Sequence, residues 1–204
     1  MSRGADDVLT ALRSATATEH ERLEKALDLL DPALTRGRLT RVLQLLHGFW
    51  LAAEAGLDAW AAREPADAAR LAWPRRRRTG LFAADLAGLG ADPGRSAVPD
   101  LPAVAGTDDA IGRLYVLEGS TLGGTFIDRH LTGLPALAGV RVRAFSPYGR
   151  ETGAMWHAYR RAARGRVAAG GDAGRMVAAA EHTFAALAGW CDAAATPAAG
   201  PRDR

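Results

Sequence analysis

Cysteine is almost absent: Cys191 is the only one in 204 residues. That excludes an internal disulfide and any zinc site built on cysteine pairs. No stretch approaches the roughly 18 consecutive apolar residues of a membrane-spanning helix. The residues before the first helical pattern, Met1–Leu9, hold no apolar core of signal-peptide length. These two features lead to the expectation of a cytoplasmic protein with no membrane partner. Strand signals are as scarce, with Val140–Val142 the one short β-like stretch. There is no P-loop, no dinucleotide glycine fingerprint and no GxSxG elbow. Histidines in ExxH or HExxH spacing are also missing, which removes the carboxylate-bridged di-iron and zincin readings.

What is present is ordinary for a globular chain: 48% hydrophobic and 24% charged residues, with a formal net charge of +3. The sequence pI is about 9.6. Lys25 is the only lysine, and arginine carries the rest of the positive charge. No stripe of basic residues interleaved with aromatics accompanies it, so no nucleic-acid partner is expected. The length suits one domain with a sizeable core. We read residues 1–195 as a single all-α domain and 196–204 as a disordered tail.

Helical periodicity runs through most of the chain. A first helix is predicted from about Asp6 to Leu30 on the stripe Leu9, Leu12, Thr16, His20, Leu23 and Leu27, which turns His20 inward among leucines. A second spans about Thr35 to Arg63, with Leu39, Val42, Leu46, Phe49, Trp50, Ala53, Leu57 and Trp60 facing the core. Pro65 breaks it, and a short helix, Ala66–Trp73, ends before Pro74. Arg75–Arg78 is a run of four arginines, read as a solvated helix start or as a docking patch for an acidic partner. Leu81, Phe82, Leu86 and Leu89 follow in helical spacing, closed by Gly88 or Gly90. Ala91–Gly106 reads as a proline-rich loop, after which Thr107 or Asp108 caps the next helix. Gly133–Gly149 is mostly irregular. Helices from about Glu151 to Ala168 and from Asp172 to about Ala195 complete the chain, the last on Met176, Ala180, Phe184, Leu187 and Cys191.

The helix beginning near Thr107 contains the most unusual segment, Leu114–His130, LYVLEGSTLGGTFIDRH. Leu114, Leu117, Leu122, Ile127 and Leu131 are helical in spacing. Yet Gly119, Gly123 and Gly124 sit in the middle of it, and each costs roughly 1 kcal/mol against alanine. Gly112, Gly119 and Gly123 share a face. Bare backbone there permits either close helix packing or the close approach of a flat ligand.

Among polar groups, His20 stands out. Glu24 lies four residues on and is placed to accept, directly or through water, from the imidazole Nδ1–H. That would fix the tautomer and leave Nε2 for a metal. Arg13 lies two helical turns back on nearly the same face. A neutral imidazole with a nearby cation suits a metal macrocycle with acidic arms, and haem has that shape. His47, His130, His157 and His182 read as surface or supporting groups.

ATATEHERLE, followed about a hundred residues later by YVLEGSTLGG, resembles the haem oxygenases. The similarity is greatest to the bacterial biliverdin-producing branch that often accompanies bacteriophytochromes. FSPYG, the spacing to WHAYRR, and EHTFAALAGW are similar to the later helices of that family. The resemblance implies an all-α, single-domain, multihelical haem-oxygenase-like fold. It implies an enzyme that uses O2 and electrons from an external reductant to open haem, at once substrate and cofactor, to biliverdin, CO and ferrous iron. A haem carrier or sensor on the same scaffold is the alternative. Position by position, it makes His20 the proximal iron ligand and Glu24 its hydrogen-bond partner. Gly119, Ser120, Gly123 and Gly124 become the distal wall. Arg13 and Arg160 become cations for the propionates, with Tyr159 beside Arg160 and Phe184 lining the pocket. Implied partners are haem, a ferredoxin or flavoprotein reductase, and a bacteriophytochrome that receives biliverdin. The chain reads GSTLGG where mammalian-type members read GDLSGG, so Ser120 replaces the aspartate of the distal water network. Ala17 stands where a second basic group would precede His20.

Overall fold

The computed structural model describes residues 3–195, with side chains from Val8 to Ala193; the expected tail, 196–204, lies outside them. The described residues contain seven α-helices and no strand: α1 Arg3–Leu27, α2 Arg36–Arg63, α3 Pro65–Arg70, α4 Thr79–Gly88, α5 Thr107–Gly133, α6 Thr152–Ala168 and α7 Ala173–Ala195. The β-like Val140–Val142 is loop, with Val142 buried as an anchor.

The long helices follow from their apolar spacing. All eight core positions expected on α2 are buried, as are all five expected on α7. Thr35 caps α2 by accepting from the Arg38 N–H, and Asp172 Oδ1 accepts from the Arg175 N–H at the start of α7. Boundaries shift where the backbone turns left-handed. Asp28 has φ +43°, so α1 stops at Leu27 instead of reaching Leu30. Ala72, at φ +52°, separates α3 from a 3-10 turn over Trp73–Arg76, so the expected Ala66–Trp73 helix is divided. Gly106 is the N-cap of α5 in place of Thr107 or Asp108. The Thr107 hydroxyl instead donates to Asp67 Oδ2 at 2.7 Å and accepts from Trp60 Nε1 at 3.3 Å, tying α5 to α2 and α3.

Helix α7 is the spine of the site. It packs extensively on α5 and on α1, while α6 also packs on both; α1 and α5 touch each other little. The close α5–α7 contact depends on Gly112, where a Cβ would fall 2.2 Å from the Met176 carbonyl oxygen. A groove therefore runs between α1 and α5 over α7. On the other side, α2 packs on α4 and encloses the aromatic core of Phe49, Trp50 and Phe82.

Candidate functional site: a groove between two helices

Arg13, Thr16 and His20 repeat at three and four residues and so share one face of α1. Tyr115, Gly119 and Gly123 do the same on α5. The two faces meet where the Tyr115 phenol lies beside the Thr16 side chain, with the Arg13 charge nearby. One turn further along each helix stand His20 and Gly119.

His20 is not buried among leucines. Its side chain is 51% exposed, with Nδ1 3.6 Å from Glu24 Oε1. That distance is too long for a direct hydrogen bond, so Glu24 is an orienting neighbour at one water's or one rotamer's remove. Phe184 of α7 meets the imidazole edge-on, ring centroids 5.9 Å apart. The amphipathic stripe does continue through His20, but at that level α1 is only partly covered, by Phe184 of α7, and the imidazole is left half-exposed.

Opposite, a Cβ built on Gly119 or Gly123 would meet no atom within 4 Å. Leu122 and Phe126 flank these glycines on the same third of the helix surface, 43% and 66% exposed. Leu122, one of the helically spaced apolar residues of this segment, is thus part of an apolar surface strip. Gly124 has a different reason for lacking a side chain: its Cβ would lie 1.7 Å from the Phe145 carbonyl oxygen. It is a packing glycine that seats the FSPYG loop on α5, and this corrects its assignment to the distal wall.

Behind the groove, α5 is braced by two of the four arginines. The run is neither a solvated helix start nor a uniform basic patch, because its residues alternate. Arg75 pairs with Glu151 and Arg77 with Asp58 at the surface. Arg76 and Arg78 turn inward and are 2% and 1% exposed. Arg76 forms a fully buried ion pair with Glu118 and donates to the Leu71 and Met155 carbonyls at 2.5 and 3.2 Å. Tyr148 donates to the other Glu118 oxygen at 2.7 Å; burial, then the Glu118 charge, push its phenol well above the ordinary range. Arg78 stacks on Trp50 with Cζ 4.7 Å from the ring centroid. Its Nη2 donates to the Leu117 carbonyl and, at 2.9 Å, to Ser120 Oγ. Glu54 Oε1 accepts from the Arg78 and Thr79 amides at 2.6 and 2.9 Å.

The heme oxygenase family profile matches residues 6–192. The chain belongs to the haem oxygenase family. Heme oxygenase from Leptospira interrogans shares its fold, with a TM-score of 0.71 at 19% identity over 95% of this chain and 100% of that one. No curated protein matches the sequence. Family membership makes the protein an enzyme of haem degradation.

Of the residues singled out for haem oxygenase chemistry, the fold brings His20, Glu24 and Phe184 together, and Arg13 and Gly119 border the same groove. It separates others. Tyr159 is fully buried and donates to the Ile111 carbonyl at 3.0 Å, stacked on Trp156, so it is a core residue and not a partner for Arg160. Arg160 lies on α6 in a shallow depression with His157, Arg161 and Arg164. Ser120 donates its proton to the Leu117 carbonyl at 2.8 Å while accepting from Arg78, so it serves the brace. His47 also departs from a surface reading: it is buried, its Nδ1 2.9 Å from Ser96 Oγ, and burial lowers its pKa. Tyr115, Phe126, Arg76, Arg78 and Tyr148 are site and support residues that sequence reasoning missed. Glu118 was the available signal, since a carboxylate opposite the glycine face of a buried helix needs a buried cation.

Proposed function

We propose that this enzyme binds haem in the groove between α1 and α5, with His20 as the residue that would hold the iron. We further propose that it opens the ring to biliverdin, CO and ferrous iron with O2 and electrons from an external donor. The observation that carries the reading is the pairing of an accessible, oriented imidazole on α1 with a glycine face on α5 that is open at Gly119 and Gly123. A flat apolar macrocycle with two carboxylates asks for an axial base, thin apolar walls and a cation at the edge. The residues fit: His20 is the base, backed by the buried Phe184, Leu122 and Phe126 are apolar surface, and Arg13 is the cation, with the Tyr115 phenol beside it.

When bound, haem supplies the iron at which O2 is reduced and the carbon skeleton that is cleaved. The protein's share is positional. Glu24, one rotamer change or one bridging water from His20 Nδ1, would hold the imidazole tautomer that keeps Nε2 a base. Gly119 and Gly123 keep side chains out of the space that bound haem would face, leaving that space open to O2. The Arg76–Glu118 pair and Arg78 fix the α5 backbone that carries them. Ser120 has its proton directed at Leu117 and one lone pair free, so it orients a water only as an acceptor. A ferredoxin or flavoprotein reductase is the proposed electron source and a bacteriophytochrome a proposed recipient of biliverdin.

Anaerobic haem titration followed by O2 and reductant tests this reading. A stoichiometric complex whose Soret band bleaches as biliverdin and CO appear is the expected result. A complex whose Soret band persists under turnover conditions would mark a carrier.

A further inference from the structure

Helix α6 carries charge of one sign only. Its 17 residues hold four arginines and His157 and no carboxylate. Arg166 turns toward α5 and pairs with Asp108 at 2.7 Å. His157, Arg160, Arg161 and Arg164 follow at steps of three, one and three, so they share another face as a stripe about 10 Å long. With Gly165 and Ala168 they line a shallow depression of about 490 Å³. Among the described residues, His157, Arg160 and Arg161 make no hydrogen bond or ion pair. Other surface arginines are matched: Arg75 takes Glu151, Arg77 takes Asp58 and Arg175 takes Asp109. Like charges three and four apart on a helix repel, so the stripe weakens α6, and no described carboxylate offsets it at His157, Arg160 or Arg161.

The stripe is linked to the haem groove through aromatic side chains. Trp156 lies one turn before Arg160 on nearly the same side of α6 and is half-buried. Its ring packs on that of Tyr115, centroids 6.0 Å apart. Tyr115 belongs to the α5 face of the groove, at the level of Arg13 and Thr16.

We propose that the α6 stripe is the docking surface for the external electron donor, and that this donor is a small acidic one-electron carrier protein. This rests on the haem-opening reading above, which requires electrons from outside. A chain with one cysteine has no four-cysteine ligand set for an iron–sulfur cluster of its own. Arginine forks pair bidentately with carboxylates and are weakly hydrated, and α6 supplies no acid to compete with those of the carrier. One electron leaves the reduced centre of the carrier and enters bound haem, taking ferric iron to ferrous; no bond is made or broken. The arginines need not touch haem, in keeping with the separation of Arg160 from the groove.

The test uses the full chain, with a small acidic [2Fe–2S] ferredoxin as the probe. Calorimetry on the haem-free protein should find one site at about 0.01 M NaCl. At about 1 M, where the screening length falls from roughly 30 Å to 3 Å, affinity should drop at least about tenfold. Arg161→Glu should also lose at least about tenfold, the low end for close interfacial charge pairs, and Arg161→Lys should retain most of the affinity. Arg95→Glu makes the same charge change on an 84% exposed side chain, in the loop that Ser96 ties to His47 of α2, and should bind as wild type does. With haem bound, Arg161→Glu should raise KM for ferredoxin and leave ascorbate-driven turnover unchanged, since ascorbate needs no docking surface. Failure of the unaltered chain to form biliverdin with ascorbate would overturn the haem-opening reading itself. Absence of ferredoxin binding at low salt, an equal loss in Arg95→Glu, or an unchanged ferredoxin KM in Arg161→Glu would each overturn the docking surface.

Discussion

Replacing Gly123 by alanine separates a glycine kept for packing from one kept for access. The added methyl group would meet no atom within 4 Å, and the backbone there is ordinary helix. The substitution should therefore remove a helix-interior glycine at no steric cost, a gain of up to about 1 kcal/mol. For a domain of this size that is a rise in Tm of roughly 2–4 °C. Gly124→Ala is the internal control. Its methyl group would lie 1.7 Å from a backbone oxygen of Phe145, which cannot rotate away, so it should cost about 1–3 kcal/mol or more. The two neighbours should thus move stability in opposite directions. Haem affinity should be near normal for Gly123→Ala, because His20, Glu24 and Arg13 are untouched, whereas the yield of biliverdin per bound haem should fall. Gly119→Ala should behave similarly. Melting temperature, haem affinity and biliverdin yield must be measured on one preparation. A stabilised Gly123→Ala protein with full yield per bound haem would refute the idea that this face guards the reacting ligand. A destabilised one would show that the face is packed and not open.

Other expectations follow from named contacts. His20→Ala should leave melting nearly unchanged, since the side chain is half-exposed, while abolishing the histidine–iron Raman stretch of the ferrous complex; an unchanged stretch would remove His20 as ligand. Arg13→Ala should weaken haem binding by about 1–3 kcal/mol through loss of a charge-assisted contact to a propionate, whereas Arg160→Ala, in a separate depression on α6, should bind haem as wild type does. A haem titration in which Arg160→Ala alone loses affinity would move the anchoring cation to α6. Arg76→Met strands Glu118 in the interior and should cost about 3–5 kcal/mol in chemical denaturation; adding Glu118→Gln should recover part of it. Asp67 is held below the usual carboxylate range, first by the Thr107 hydrogen bond and then by Arg70. Its folded pKa is depressed, so its contribution is fully present above about pH 4 and is lost as pH falls through the folded value. Asp67→Asn should therefore lower stability at pH 7 and narrow its difference from wild type in acid, as read from denaturation midpoints across pH.

The sequence by itself determined the helices, because their apolar spacing is local and needs no partner to be seen. Leu39 through Trp60 on α2 and Met176 through Cys191 on α7 are buried as that spacing demands. It also carried the family resemblance and singled out the two glycines whose open sides define one wall of the groove. What it could not decide is which face of a helix meets a neighbour and which meets an opening. His20 continues the leucine stripe of α1, yet it is half-exposed, because α5 stands off from α1 at that level. Gly123 and Gly124 are indistinguishable as residues, but one turn of 100° sets the first toward the groove and the second against Phe145. The four arginines divide in the same way. The turn after Ala72 sends alternate side chains to surface carboxylates and to Glu118 and Leu117 inside, and that division depends on a carboxylate 42 residues away in the chain. Burial of charge is decided by such distant partners, and only the tertiary structure brings them together.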